Sequence, residues 1–530
     1  MNPLIVDLET TTPGPKPDMR VDTVTQVGWL PLDGDVAKWA ECFCPLPPFD
    51  PIVCHSASYD VGIMARQATF YPVADPAHFL RHVNIHDTLA LSYAQGKQDL
   101  SLKGLGASEL GVVTVPYAQR HLIGEEQYLA QDLFLTRDLL KKLLPLNEGT
   151  AYDIDRALIP ALIDCSYRGY EVDQKRLEGA IAVAEGTRVR MEWAFGRMTA
   201  GVEVLHSRRK RTRKSGVDYV EKHGPPSINS PLQLARLLGT PDTDEKRTLA
   251  PLAARGGDRG ILADLILRHR EASTGLTTFF YKLRGRDKLT GLFNITPDED
   301  MEGGTGTGRL SSERENMQNQ PPAVQRCLRA PPGFLIRRGD FPQIELRCAA
   351  EISGDPVMIE ALADPKRNLH QETADKLFGG DYARGKRFNF RELYIAGAEV
   401  RAVYPRFYEW AQEHWANVQR TSYSTSPDPF LHRRFIPLLG GDHARKQAIN
   451  HPVQSMAVYI CKVAMNRLFQ EGSLLVNQVH DEIQDYVPED CDRALTARQM
   501  GSIMEAVMRE YLPRVGNAPV DVTISKYWGE

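Results

Sequence analysis

No apolar run in this 530-residue chain approaches the ~20 residues needed to cross a bilayer. The apolar start, LIVDLET, is interrupted at Asp7 after only a few residues, so a signal peptide is not expected either. Cysteine is sparse and scattered. None of the eight forms a C-x-x-C pair, and Cys42, Cys44, Cys54 and His55 have an unconvincing spacing for zinc, so the pattern is that of a reducing compartment. There is also no excess of positive charge. At a formal −4 the chain has no global field for nucleic acid, and any such binding must use local patches. Internal repeats are absent. The expectation is a soluble, cytoplasmic protein without a membrane partner.

One local patch is conspicuous: Arg208, Arg209, Lys210, Arg211, Arg213 and Lys214 fill six of seven positions in HSRRKRTRKSG. It reads as a phosphate-contacting flexible tip, with a bland solvated loop as the alternative. The length suggests about three domains. A mixed α/β section runs to about Asn147 and ends in the helical pattern QYLAQDLFLTRDLLKKLL. A mostly helical section follows, in which Asn229-Ser230-Pro231 marks a helix start. From about Gly285 strands return, near 292–295, 334–338 and around QVHDEI.

Acidic residues placed where apolar strands end carry the chemistry. Asp340 closes the strand of FLIRRGD, with Pro342 where a first helical turn would begin and Glu345 one turn further on. Asp481 lies in LLVNQVHDEIQDYV, two apolar runs around a polar turn, which predicts a hairpin. Partly buried carboxylates are costly unless paired or bound to a cation, and a pair of them is the usual holder of two Mg²⁺ ions in phosphoryl transfer. Between them, Lys386, Phe390 and Tyr394 recur every fourth residue along one helical face, suited to a ligand with phosphates and a flat base. Near the N-terminus, Asp7 and Glu9 share one strand face, Asp60 follows in SASYD, and Tyr128 and Asp132 stand one helical turn apart. Four carboxylates and a phenol suit metal-assisted phosphodiester hydrolysis.

Three of these segments, Asp340 to Arg347, Lys386 to Tyr394 and Gln478 to Glu482, resemble motifs A, B and C of the family A DNA polymerases, the DNA polymerase I family. Thr307-Gly308-Arg309-Leu310-Ser311-Ser312 with Asn316, Gln318, Asn319 and Pro321 is similar to the family's TGRLSS…NLQNIP segment, and AINHPVQSMA to its primer–template helix. The resemblance implies that Asp340, Asp481 and the carbonyl of Phe341 hold two Mg²⁺, with Mn²⁺ as a substitute. Lys386 and His370 would then meet the triphosphate, Phe390 the nucleotide, and Tyr394 the template side. Glu345 would exclude a 2′-hydroxyl. Arg309, Asn316, Gln318, Asn450, Gln454 and His480 would contact the duplex and primer end, with Arg208, Arg209, Lys210 and Arg211 on phosphates further away. Motif B departs from the family: Tyr382 replaces an arginine, and Arg391 and Ile395 replace glycines. Arg384 or Arg387 is the expected substitute cation.

The ordered set Asp7, Glu9, Asp60, Tyr128 and Asp132 is similar to the same family's DEDDy 3′→5′ exonuclease, also with two metal ions, although Ser56 stands where asparagine is usual. Asp87, in a further family-like segment, reads as structural. The implied fold class is α/β multidomain: an RNase H-like exonuclease domain over residues 1–147, then a right-hand polymerase with an antiparallel palm sheet and helical thumb and fingers. Palm entry and thumb would span 148–284, palm 285–365, fingers 366–434 and palm again 435–530. A monomer acting on primer–template DNA with dNTPs is implied, alongside helicase and single-strand binding protein. Motifs that begin at Asp7 suggest a phage replicative enzyme without a 5′-nuclease. The rivals are a single-subunit RNA polymerase and a non-catalytic DNA-binding scaffold.

Overall fold

The computed structural model describes residues 3–13, 16–42, 44, 46–47, 49–67, 76–213, 216–297, 306–364 and 366–530, with the side chains of 76–77, 208–220 and 391–392 outside that description. The chain packs as two units: 1–170 with 290–319 and 330–526, and 171–289 with 320–329 and 527–530.

In the first unit, β1 (Leu4–Thr11), β2 (Thr23–Pro31), β3 (Lys38–Glu41), β4 (Ile52–Cys54) and β5 (Ile85–Asp87) form a sheet in the order β3-β2-β1-β4-β5. Only β2 runs against the others, since it is antiparallel to both neighbours while β1, β4 and β5 are parallel. Helices α1 (Ala57–Arg66), α2 (Thr88–Ala94), α3 (Glu125–Leu143) and α4 (Ala151–Arg168) accompany it. Asp87 joins two of these helix starts. Its carboxylate accepts backbone N–H bonds from Leu89 and Ala90 of α2 and from Ser56 and Ala57 at α1, so the structural reading of this residue holds. Ser56 sits at φ 68°, ψ 52°, a left-handed conformation that asparagine adopts more readily than serine.

Later in the same unit a four-stranded antiparallel sheet has the order β7-β8-β6-β9, from β6 (Phe334–Asp340), β7 (Leu474–Val479), β8 (Glu482–Pro488) and β9 (Asp521–Ser525). Around it lie α5 (Ile344–Ser353), α6 (Leu369–Phe378), α7 (Tyr382–Arg387), α8 (Pro405–Thr421), α9 (Asp442–Gln470) and α10 (Arg493–Tyr511). Two expectations need correction. Pro342 precedes α5 rather than occupying its first turn, because Gln343 turns into the left-handed region at φ 51° before the helix begins. The Lys386–Tyr394 segment is not one regular helix: α7 widens into a π turn at Phe388–Glu392 and tightens again at Leu393–Ile395.

Helix α9 contains Pro452, which has no N–H for the Ala448 carbonyl one turn earlier. Ser424 repairs the loss by donating its hydroxyl to that carbonyl at 3.0 Å. The serine proton is thus spent, so Ser424 Oγ accepts from His414 Nε2 at 2.9 Å and His451 Nδ1 at 3.1 Å. His451 Nε2 then accepts from His432 Nδ1 at 3.1 Å. With one ring nitrogen donating and the other accepting, His451 is a neutral imidazole.

The second unit holds the helices Gln174–Met198, Pro231–Leu238 and Gly257–Thr274, cored by Phe195, Ile228, Leu234, Leu238, Leu249 and Ile266. Ser230 caps the Pro231 helix through the Gln233 N–H, as its sequence predicts. The basic run is not a loose tip. Residues 204–213 form a strand paired antiparallel with 216–224, with a register shift between Leu205 and Ser207, which sets Arg208 opposite Glu221 and Arg211 opposite Asp218. The partner sequence GVDYVEKH, rich in β-branched and aromatic residues, favours that pairing, while Lys214 lies outside the described residues.

Burial holds the histidine pKa values low, His432 at about 3 and His414 at about 4, against about 6.5 in an unfolded chain. As pH falls through 6.5 the unfolded state takes up protons that the folded state refuses, so stability is complete above that value and lost below it. We expect the Tm to drop steadily between about pH 6.5 and 4. A His432→Gln variant should lose less over the same interval in a calorimetric pH series.

Candidate functional site

The N-terminal carboxylates gather because three elements meet. Asp7 and Glu9 lie on β1, and Asp60 of α1 accepts the Leu8 N–H at 3.2 Å, which pins helix to strand. Tyr128 and Asp132, both buried, come from α3. That helix reaches the sheet closely because Gly28 on β2 has no side chain: a Cβ there would stand 2.7 Å from Leu129 Cγ. Burial pushes Asp7 up to about 6 against the opposing pull of the Lys103 charge and the Leu8 N–H. Burial, then the Asp7 and Glu125 charges, push Glu9 to about 7, and Asp60 is raised by burial and by Asp7. Lys103, which sequence reasoning missed, pairs with Asp132 and places its ammonium 4.4 Å from the centre of the Tyr128 ring.

The second cluster sits at one end of the antiparallel sheet. Asp340 stands opposite Glu482 on β8 and opposite Asp521 on β9, so three carboxylates share one rung. Like charges directly opposite repel across a sheet. Asp481 follows His480 in the β7–β8 turn, where His480 takes φ 57°. The Phe341 N–H donates to the Asp481 carbonyl at 3.3 Å, which ties the two acid-bearing segments through the backbone. Burial and the Asp481 and Asp521 charges push Asp340 up to about 6, and burial raises Asp481.

A cleft of about 410 Å³ opens here, lined by Asp340, Asp481, Glu345, His480, Arg309, His370, Tyr382, Lys386 and Phe390. Tyr394 is buried and stands outside the lining, donating to Glu345 Oε2 at 3.3 Å, while Arg309 pairs with the other Glu345 oxygen. His370 Nδ1 accepts from Asn389 at 3.1 Å, and its ring lies 5.2 Å from Phe390. Tyr382 brings a phenol to the wall one turn from Lys386. The Arg384 guanidinium lies over the Phe378 ring at 4.5 Å.

Gln318 Nε2 donates to the Gln478 carbonyl at 3.0 Å and so braces the segment against β7, while Asn316 Oδ1 accepts the backbone N–H groups of Gln318 and Asn319 and holds the turn itself. Asn450 and Gln454 are half-buried on α9, and Asn450 Oδ1 is buried without a hydrogen-bond partner. The backbone of Arg208, Arg209, Lys210 and Arg211 belongs to the hairpin of the second unit.

Both clusters offer hard carboxylate oxygens whose ionisation the fold opposes, the chemistry that suits Mg²⁺. Even so, among the described residues no group of three or more His, Cys, Asp or Glu is arranged to hold an ion. Among the same residues no helix is long and apolar enough to cross a membrane.

Residues 220–402 match the model of DNA polymerase family A. The chain is 28% identical over 487 residues to the thermostable DNA polymerase I of Thermus filiformis, covering 84% of this chain and 55% of that protein. It is 26% identical over 514 residues to DNA polymerase I of Pseudomonas aeruginosa, covering 82% and 52%. The chain therefore spans about half the length of these relatives. The fold is similar to a solved structure of the POL domain of Pol1 from M. smegmatis in complex with DNA primer-template and dNTP, with a TM-score of 0.74, 18% identity, and coverage of 99% of this chain and 95% of that one. The class this likeness defines is one of fold, that of the solved POL domain. In sequence the chain is similar to DNA polymerase I proteins over part of their length.

Two outcomes are expected. Gly28→Ala should push α3 from the sheet and cost about 1–3 kcal/mol, read by denaturant unfolding. Asp340→Asn should stabilise the metal-free protein by relieving the carboxylate rung. The gain is about 1 kcal/mol after solvent screening, because Asp340 is exposed. In EDTA the variant should melt above the parent, and Mg²⁺ should raise the parent's Tm more.

Proposed function

We propose that this protein is a template-directed DNA polymerase with a 3′→5′ proofreading exonuclease. The observation that carries the reading is the joint lining of one cleft by the Asp340–Asp481 pair and by Lys386 and Phe390. Asp340, Asp481 and the Phe341 carbonyl would hold two Mg²⁺, which supply charge neutralisation for in-line displacement at phosphorus. Lys386 neutralises the triphosphate and Phe390 offers a face to the base. His370 adds a polar contact. Tyr394 and Arg309 fix the Glu345 carboxylate, so that its oxygens stand as a barrier to a 2′-hydroxyl. With the reactants oriented, the primer 3′-hydroxyl attacks the α-phosphate.

Asp7, Glu9, Asp60 and Asp132 would hold the metals of the nuclease, with Tyr128 orienting the attacking water. The reading is supported by the sheet order β3-β2-β1-β4-β5, with a single reversed strand, which suits an RNase H-like domain. Within the reading, the thumb corresponds to the helical second unit, and its basic hairpin offers phosphate contacts through Arg208, Arg209, Lys210 and Arg211. Arg309, Gln318, Asn450, Gln454 and His480 face the primer–template. The partners are then DNA and dNTPs, with helicase and single-strand binding protein acting beside it. A single-subunit RNA polymerase is disfavoured by the braced Glu345 and by the second carboxylate cluster.

The test is a labelled primer–template with Mg²⁺, with and without dNTPs, beside Asp481→Ala and Asp7→Ala. Extension should be lost only in the first variant and primer shortening only in the second. Incorporation of NTPs in preference to dNTPs would overturn the substrate assignment. Absence of both reactions in the parent would leave the scaffold alternative.

A further inference from the structure

The N-terminal carboxylates suit a divalent cation by chemistry yet are not arranged around one, and a single side chain accounts for both facts. Lys103 forms an ion pair with Asp132, one of the four acids, and its ammonium lies 4.4 Å from the ring centre of Tyr128. Its charge also bears on Asp7 and Glu9, across the site on β1. The contact is not a stray surface pairing. Three-quarters of the Lys103 side chain is covered, and that of Asp132 still more so. The backbone that presents Lys103 is built for the purpose: Asp99 accepts from the Ser101 N–H at 3.0 Å and from its hydroxyl at 2.7 Å, and Ser101 Oγ accepts from the Gly104 N–H at 3.1 Å. At position 104 only glycine leaves room for the Asp99 carboxylate.

We infer that Lys103 is a resident counter-ion of this cluster, standing in the place of a divalent cation and giving way when one binds. Resting on the nuclease reading for its purpose, the inference names Lys103 as a positioning residue. It keeps four mutually repelling acids together in the metal-free protein and raises the metal concentration at which the site fills. The energetic reason is direct. An ammonium paired with one desolvated carboxylate and acting on its neighbours offsets their repulsion, and a divalent cation does so more strongly but must first displace it. Removing the lysine therefore has opposite effects on the two states, weakening the empty site and easing the filling of the occupied one. A lysine that merely packed against Tyr128 would lower stability with and without metal alike.

The experiment is a Mn²⁺ titration of the full chain followed by electron paramagnetic resonance, in the parent, Lys103→Met and Lys103→Arg. The N-terminal sites are identified as the class lost in Asp7→Ala. Lys103→Met should bind Mn²⁺ at these sites about tenfold more tightly. In EDTA its Tm should fall by about 2–4 °C, with the deficit closing at saturating Mn²⁺. Lys103→Arg should keep both parental values. Unchanged or weaker Mn²⁺ binding in Lys103→Met overturns the inference, as does a Tm deficit that persists at saturation. Failure of the nuclease reading is separable. A parent protein that never shortens a primer but shows the Mn²⁺ shift refutes the nuclease and leaves the lysine's role standing.

Discussion

One buried ion pair underlies the first unit. Lys462 of α9 places its ammonium 2.5 Å from Asp155 Oδ1 of α4, the Tyr459 hydroxyl donates to the other oxygen at 2.9 Å, and neither charged side chain is more than 1% exposed. Each charge is intolerable without the other, and removing one partner of such a pair typically costs about 3–5 kcal/mol. The helices it joins serve different sheets. Tyr152 of α4 bonds to His86 and to the Asp87 N–H at the end of β5, while α9 packs on α5 and α10 beside the antiparallel sheet. Both carboxylate clusters are therefore referred to a common pair of helices.

The two clusters solve one electrostatic problem with different means. At each, the fold brings acids together and removes part of their water, which raises their proton affinity instead of stabilising their charge. The N-terminal cluster carries Lys103 within it. At the other, Arg338 stands 3.8 Å from Glu482, Arg309 is committed to Glu345, and Lys386 lines the cleft without an ion pair to either aspartate among the described residues. Asp340 is also more open to solvent, so water does some of the work there that an ammonium does elsewhere.

Much of this was legible in the sequence, and the reason is local. Strand ends at Asp340 and Asp481, the helix carrying Tyr128 and Asp132, and the Ser230 cap all follow from periodicity and turn chemistry within a dozen residues. What stayed hidden depends on distant partners. Lys103 reads as an ordinary surface lysine until α3 is laid beside it. The π turn after Lys386 breaks an even spacing that sequence reads as one helical face. Arg384, a candidate phosphate ligand by charge, lies over the Phe378 ring, while Tyr382 takes the place on the cleft wall. The basic hairpin was misjudged because six cations in seven residues conceal the strand-forming partner that follows them.

The hydrogen bond from the Phe341 N–H to the Asp481 carbonyl has a geometric implication. It joins the two acid-bearing turns main chain to main chain, so the spacing of the two backbones at Asp340 and Asp481 is ruled by peptide planes and sheet pleat, which hardly deform, while the carboxylates themselves turn by rotamer. Such a frame has almost no slack. A carboxylate lengthened by one methylene at either position cannot be absorbed by a compensating shift of its neighbour. The frame is to that extent a gauge of fixed width, and only the side chains that project from it can adjust to what lies between them.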